Sequence, residues 1–167
     1  SLPDNTLLRL ASSMPIRDVD SFATKSDAHL LVSSNRGVNG IDGLIATSLG
    51  EAYGHKGAVA VLSGDLSFLH DIGSLATVPR PQTSVIFVVV DNGGGGIFGF
   101  LPMAAHPTGL EKWFVTPHNH DIPAICTGFG IEVDTADSLD ALHGHIAHRL
   151  KSPGLHVIHV PIDRTAS

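Results

Sequence analysis

The chain has 167 residues, of which 43% are hydrophobic and 16% are charged, and its formal net charge is −6. This composition predicts one globular domain with a sizeable core and excludes the basic surface that nucleic-acid binding requires. No apolar run is long enough for a membrane span, and the single cysteine excludes an internal disulfide. Because the chain opens on a linker-like Ser1–Asp4 without an initiator Met, we expect residues 1–167 to be one domain of a longer protein.

The first part of the chain alternates strands with helices. Apolar residues predict a strand at Thr6–Ala11, and a short helix follows at Ile16–Ala23, with Pro15 in its first turn. A second strand is predicted at Ala28–Ser33. A helix is expected from about Ile41 to Tyr53, because apolar residues recur there at helical spacing.

Two short apolar runs, Val59–Leu62 and Ser84–Val90, are typical of strands buried on both faces of a parallel sheet. Between them, Leu66–Val78 predicts a crossover helix. The first run leads into Asp65 and the second into Asn92. Ligands of open α/β sheets bind at the carboxyl ends of the strands, so these two polar side chains mark a candidate site.

The last third of the chain has a looser pattern. The stretch after Phe100 predicts a loop with one helical turn around Leu110–Phe114. Ile122–Phe129 and Ser138–Lys151 predict helices, and the alternating Leu155–Val160 predicts an edge strand. The whole order of elements predicts an α/β fold: a parallel, doubly wound sheet with helices on both faces.

The 11 histidines raise the question of a metal site. His143, His145 and His148 would spread around their helix instead of sharing a face, which predicts a solvated surface. His118 and His120 lie in the loop within reach of a pocket, and no motif assigns them a role.

Gly64-Asp65, followed one crossover later by Asn92, resembles the thiamine diphosphate (ThDP) motif of ThDP-dependent enzymes. Mg²⁺ prefers oxygen ligands, which the Asp65 carboxylate, the Asn92 amide and a backbone carbonyl near Gly94 can supply. The glycines Gly93–Gly96 let the backbone approach phosphates closely. The alternative is two buried strands that end in ordinary turns, since Gly-Asp and Asn-Gly are common turn dipeptides.

Three segments together make the resemblance more specific: Ser33–Gly43 (SSNRGVNGIDG), Gly64–Ser67 (GDLS) and Asn92–Phe98 (NGGGGIF). In this order they closely resemble the C-terminal, diphosphate-binding domain of the 2-succinyl-5-enolpyruvyl-6-hydroxy-3-cyclohexene-1-carboxylate (SEPHCHC) synthase, or MenD, family of menaquinone and phylloquinone biosynthesis. The resemblance covers nearly the whole chain. The Asn-Arg-Gly-x-x-Gly-Ile-Asp-Gly segment separates it from acetolactate synthases and pyruvate decarboxylases.

The resemblance implies a role for each matching residue. It makes Asp65, Asn92 and the Gly94 carbonyl the ligands of Mg²⁺, or of Mn²⁺, and it places Ile41 beneath the bent ThDP. The further residues that it places at the cofactor are Ser13, Gly64, Leu66, Ser67, Ile97, Phe98 and Leu101, and it implies that Arg17 and Arg36 contact substrate. From the residues alone, core packing for Ile41, Ile97 and Leu101 and a solvated charge for Arg17 remain alternatives.

The resemblance also implies the reaction and the partners. The family decarboxylates 2-oxoglutarate and adds the resulting carbanion to isochorismate, as a homodimer or homotetramer. Its activating glutamate belongs to the N-terminal, pyrimidine-binding domain of a partner subunit, and no glutamate here matches that motif. Such a protein would lie in the chloroplast of a plant or the cytoplasm of a bacterium.

One residue departs from the family pattern. Asp91 stands where the family usually has Asn, which adds a negative charge near the metal and phosphates, and no ligand role for it is implied. Two other functions remain open: a non-catalytic assembly or regulatory module of the same fold, and another ThDP-dependent 2-oxoacid decarboxylase or ligase.

Overall fold

A sheet of six strands, all paired in parallel, forms the centre of the chain. The computed structural model describes residues 2–25, 27–35 and 40–164. The strands are β1 (Leu7–Leu10), β2 (Leu31–Ser34), β3 (Val59–Gly64), β4 (Ser84–Asp91), β5 (Glu132–Thr135) and β6 (Gly154–Pro161). Their order across the sheet is β2-β1-β3-β4-β6-β5. The chain therefore builds outwards in both directions from β1 and β3, and the point where the order switches lies between these two strands.

Helices connect the strands. They are α1 (Met14–Phe22), α2 (Leu44–Gly54), α3 (Asp65–His70), α4 (Ser74–Thr77), α5 (Pro107–Leu110), α6 (Ile122–Gly128) and α7 (Leu139–Arg149). Two 3₁₀ turns (Gly96–Phe100 and Pro102–Ala105) and a π-helical turn (Glu111–Val115) complete the segment between β4 and α6. No helix within the described ranges has the length and apolarity that a membrane crossing demands.

Successive residues of β4 pack on opposite faces of the sheet, as the period of two in a strand requires. Phe87 lies in the larger apolar core, which also contains residues of α2, α3, α4 and α6. Ile86 and Val88 lie in the smaller core on the other face, against Leu142 and Ile146 of α7. Both faces of the sheet are therefore covered, which confirms the predicted doubly wound α/β fold.

The prediction that Leu155–Val160 forms an edge strand is wrong. Strand β6 lies between β4 and β5, and that edge is formed by the short strand β5, which the sequence pattern did not predict. The alternating polar positions that led to this prediction are two histidines, and neither of them is exposed. His156 is buried with Nε2 3.1 Å from the carbonyl oxygen of Ser152, and His159 contacts Asp91.

Other elements differ from the prediction in their bounds. Helix α2 begins at Leu44, three residues later than expected, because Gly43 adopts a left-handed φ of +67° that a helix cannot contain. The single helix predicted at Leu66–Val78 is two short helices, α3 and α4. The stretch after Phe100, predicted as a loop with one helical turn around Leu110–Phe114, has helical turns at Pro102–Ala105, Pro107–Leu110 and Glu111–Val115.

Candidate active site

The residues that follow β1, β3 and β4 meet at the carboxyl edge of the sheet. Ser13 follows β1, Asp65 begins α3 directly after β3, and Asn92 follows β4. Because β1 and β3 flank the switch point of the strand order, this edge has a crevice where open α/β sheets bind ligands. The fold thus brings the polar residues of the predicted motif to a ligand-binding position.

Asp65 is 3% exposed, although its side chain is a carboxylate. Its Oδ1 accepts a hydrogen bond from the N–H of Leu66 at 2.6 Å, and its Oδ2 accepts one from the N–H of Gly94 at 2.8 Å. Burial raises the pKa of Asp65 above its ordinary value and outweighs these two bonds, which lower it. A cation beside the carboxylate would relieve this cost of burying a charge.

Asn92 is held next to Asp65 by a shared donor. Its Oδ1 accepts a hydrogen bond at 3.2 Å from the Gly94 N–H, the same group that binds Asp65. The structure therefore brings together the three residues that the sequence proposed as metal ligands. Two oxygen-bearing side chains around one backbone turn suit a hard divalent cation such as Mg²⁺ or Mn²⁺.

Gly94 could not be replaced by a larger residue in this arrangement. Its φ is +151°, and a Cβ atom on it would lie 2.7 Å from the carbonyl oxygen of Val115. The neighbouring Gly95 donates its N–H to that same oxygen at 2.8 Å. The glycine-rich turn is thus required by the close approach of the π-helical segment, a reason that was not visible in the sequence.

Two residues outside the predicted ligand set complete the polar cluster. One oxygen atom each of Asp65 and Asp91 and one ring nitrogen of His118 lie within 4.8 Å of one another. Burial would raise the pKa of Asp91, yet hydrogen bonds from His159 and from the Gly93 N–H hold it below its ordinary value. The place of Asp91 at the end of a buried strand was a signal for this position, whereas His118 had none beyond its loop.

A cleft of about 520 Å³ adjoins the cluster. Its apolar lining includes Ile41 and Leu66, and its polar lining includes His70, His118 and His120. The volume lies within the usual range of small-molecule sites, about 300–1,000 Å³. Ile41 and Leu66 therefore face a space that can hold a ligand.

The other predicted site residues lie in varied surroundings. Arg17 is exposed, and its Nη1 donates to the carbonyl oxygen of Ser13 at 2.7 Å. Ser13 has an unusual positive φ of 75° at the start of α1. Gly64 ends β3, and Ser67 is buried in α3. Arg36 lies outside the described residues.

The predicted apolar pocket walls lie on the 3₁₀ turns after β4. Phe98 packs against Phe114 with ring centroids 5.4 Å apart, and Leu101 is 39% exposed. Within the described part of the chain, Ile97, Phe98 and Leu101 are not among the residues that line the cleft. The structure therefore does not gather these three residues with Ile41 around one cavity of this chain.

The chain is similar in sequence to several SEPHCHC synthases. It is 39% identical to the enzyme of Myxococcus xanthus over 169 aligned residues, 100% of this chain and 28% of that protein. It is 36% identical to the enzyme of Bacillus velezensis over 99% of this chain and 28% of that protein. For the enzyme of Prosthecochloris aestuarii the identity is 44% over 75% of this chain and 22% of that protein. The chain thus spans less than a third of the length of these relatives.

Solved structures confirm the fold. A putative thiamin diphosphate-dependent enzyme from Mycobacterium smegmatis superposes with a TM-score of 0.65 at 24% identity, over 95% of this chain and 29% of that one. The benzoylformate decarboxylase of Polynucleobacter necessarius superposes with a TM-score of 0.66 at 23% identity, over 98% and 31% of the two chains. The profile of the thiamine pyrophosphate enzyme, C-terminal TPP binding domain, matches residues 24–160. The chain therefore belongs to the family of C-terminal TPP binding domains of thiamine pyrophosphate enzymes.

Proposed function

We propose that the chain is the diphosphate-binding part of a ThDP-dependent SEPHCHC synthase. The observation that carries the proposal is the shared Gly94 N–H, which holds Asp65 and Asn92 together at the switch point of the sheet. The identity to SEPHCHC synthases over nearly the whole chain supports the same assignment. Membership in the TPP binding family supports ThDP as the cofactor.

The residues at the sheet edge fit a magnesium diphosphate. We assign Asp65, Asn92 and the Gly94 carbonyl to the divalent cation, because they offer hard oxygen ligands on a turn that glycines keep open. The buried carboxylate of Asp65 carries a charge that only a cation or donors can compensate. Ile41 and Leu66 would hold the organic part of the cofactor in the adjoining cleft.

ThDP supplies the carbon centre that accepts electrons when a 2-oxo acid loses CO₂. The chain's own residues would bind and orient: Asp65 and Asn92 would fix the position of the metal, and Ile41 and Leu66 would contact the organic part of the cofactor. The proposed substrates, 2-oxoglutarate and isochorismate, both carry carboxylates, which arginine binds with two parallel hydrogen bonds. Arg17 and Arg36 are the arginines that we assign to them.

The proposal includes a partner domain. The relatives are more than three times as long as this chain, and no glutamate here matches the activating glutamate that the family resemblance implies. We propose that an N-terminal domain of a second subunit supplies that group, in a homodimer or homotetramer. We expect no turnover of 2-oxoglutarate with isochorismate by the 167-residue chain alone, and turnover when that domain is added. Turnover by the isolated chain would show that the activating group lies within this sequence.

Calorimetry with the full-length protein tests the cofactor assignment. Asp65→Asn and Asn92→Leu should each abolish Mg²⁺-dependent binding of ThDP. Asp140→Asn is the matched control, because Asp140, like Asp65, lies in the first turn of a helix but is exposed on α7, away from the motif in sequence. Unchanged ThDP affinity in the Asp65 or Asn92 variant would overturn the assignment.

Steady-state kinetics test the arginine assignment. Replacement of Arg17 or Arg36 with Ala should raise KM for one substrate, or lower kcat, by about one to two orders of magnitude, roughly 1.4–2.7 kcal/mol. Both variants should keep the wild-type melting temperature, because an exposed arginine such as Arg17 contributes little to stability. Kinetics within about twofold of wild type would make both residues ordinary surface charges.

A further inference from the structure

The imidazole of His118 is buried against the proposed metal ligand. Its side chain is 8% exposed, and its Nε2 atom lies 3.3 Å from Oδ2 of Asp65. The contact lacks hydrogen-bond geometry, so Nε2 has no hydrogen-bond partner within residues 2–25, 27–35 and 40–164. A buried polar nitrogen without a hydrogen-bond partner is costly, and in native structures such a group usually has a role that accounts for the cost.

The hydrogen bond made by Nδ1, the other ring nitrogen, determines whether Nε2 is a donor or an acceptor. Nδ1 of His118 accepts a hydrogen bond from the backbone N–H of His120 at 3.3 Å, and the two rings stack with centroids 5.1 Å apart. A neutral imidazole that accepts through Nδ1 carries its hydrogen on Nε2. Nε2 is therefore a hydrogen-bond donor in this arrangement and has no lone pair for a metal ion.

The surroundings point to an anionic acceptor. Asp65 Oδ2 already accepts the Gly94 N–H at 2.8 Å, and His118 lines the 520 Å³ cleft together with His70 and His120. A divalent cation on Asp65 would bring phosphate oxygens into the same coordination sphere. Such oxygens would be held close to the Asp65 carboxylate, and Nε2 of His118 lies 3.3 Å from its Oδ2.

We infer that His118 is a diphosphate-binding residue, which donates its Nε2–H to a phosphate oxygen of the cofactor. This inference rests on the proposed function. It adds a residue from the loop before α6 to a binding site otherwise built from the ends of β3 and β4. A substrate carboxylate offers the same acceptor chemistry, and the contact of His118 with the proposed metal ligand favours the phosphate.

Two isosteric replacements test the donor. His118→Gln places an amide N–H near the position of Nε2, whereas His118→Asn places one near Nδ1 and leaves the Nε2 position empty. His143→Asn is the control on α7, where the histidine is exposed. The measurements are calorimetric Kd values of the full-length protein for ThDP and for inorganic pyrophosphate, both with Mg²⁺.

We expect His118→Asn to weaken both ligands by about tenfold or more, the usual effect of losing a hydrogen bond to a charged group. His118→Gln should stay within about threefold of wild type, and His143→Asn should equal it. Equal losses in the Gln and Asn variants, with unchanged melting temperatures, would assign a steric role to the ring and overturn the inference. Unchanged Kd values in His118→Asn would also overturn it.

The same variants distinguish the two anion sources. If His118→Asn raised KM for 2-oxoglutarate at saturating ThDP and left the Kd for ThDP unchanged, the donor would serve the substrate and the inference would be wrong. The Asp65→Asn variant distinguishes failure of the inference about His118 from failure of the proposed function. Loss of ThDP binding in Asp65→Asn with normal binding in His118→Asn would remove only the role of His118.

Discussion

The Nε2 atom of His159 lies 2.8 Å from Oδ2 of Asp91, so a side-chain hydrogen bond joins β6 to β4 at the edge that carries the site. The other carboxylate oxygen, Oδ1, accepts the N–H of Gly93 at 3.0 Å. Both bonds favour the charged carboxylate and hold the pKa of Asp91 below its ordinary value despite burial, which raises it. Asp91, where the family resemblance led us to expect Asn, is therefore paired within its own chain.

A double-mutant cycle tests the pairing of these two residues. Asp91→Ala and His159→Ala should each lower the free energy of unfolding at pH 7, and the double variant should lose less than the sum of the two. We expect a coupling of about 1 kcal/mol, typical of residues in direct contact. Urea denaturation of the three variants and the wild type provides the measurement. Strict additivity would mean that the hydrogen bond contributes nothing to stability.

Gly94→Ala should destabilise the protein by about 2 kcal/mol, because the new Cβ meets the carbonyl oxygen of Val115 and the backbone has a φ of +151°. Gly99→Ala is the matched control in the next turn. A Cβ on Gly99 has nothing within 4 Å, so we expect a change within about 0.5 kcal/mol. Thermal and urea denaturation measure both. Equal stability of the two variants would contradict the tight approach at Gly94.

Arg9 is a buried charge on β1, the strand next to the edge strand β2. It is 3% exposed, forms an ion pair with Glu51, and donates to Ser33 Oγ at 3.1 Å and to Asn35. Arg9→Met removes the ion-pair partner of Glu51, whose carboxylate keeps the hydrogen bond from the Ser33 hydroxyl, and also removes the donors to Ser33 and Asn35, so we expect a loss of about 2 kcal/mol.

A control variant and a double variant show whether the effect of Arg9→Met comes from the ion pair with Glu51. Lys25→Met removes an exposed positive charge and should change the stability by no more than about 0.5 kcal/mol. Arg9→Met combined with Glu51→Met should recover part of the loss, because the half-buried carboxylate of Glu51 no longer lacks its cation. A single Arg9→Met variant as stable as wild type would show that the ion pair is not needed for the fold.

The ion pair of Asp134, on β5, makes the free energy of unfolding depend on pH at acidic pH. Its Oδ2 accepts from Nε of Arg149 at 2.6 Å and its Oδ1 from Nη2 at 3.0 Å. The hydrogen bonds of the Arg149 guanidinium hold the pKa of Asp134 below its ordinary value. Since the folded pKa is depressed, this stabilisation is present above the unfolded value of about 3.9 and is lost as the pH falls through the lower folded pKa.

The test compares wild type with Asp134→Asn in urea at pH 7 and at pH 3. The variant should be less stable than wild type at pH 7, and the difference should shrink at pH 3, where the carboxylate begins to take up a proton. A difference that grows with falling pH would contradict the sign of the pKa shift. The exposed Asp140→Asn on α7 serves as the control.

The central strands and the residues that follow them could be predicted from local sequence. The runs at β3 and β4 are apolar without alternation, which only a sheet covered on both faces accommodates. Asp65 and Asn92 could be placed at one edge because the carboxyl ends of parallel strands share it. A carboxylate and an amide beside glycines suit a metal and phosphates, so the residue types alone predict the chemistry of this edge.

Tertiary structure alone determined the remainder of the site. The contact between His118 and Asp65, the oxygen of Val115 that requires glycine at position 94, and the pairing of Asp91 with His159 all join segments far apart in the chain. The position of β6 in the middle of the sheet has the same origin. Local patterns report which face of an element is apolar, whereas these features depend on which segments pack together, and that is decided by burial summed over the whole chain.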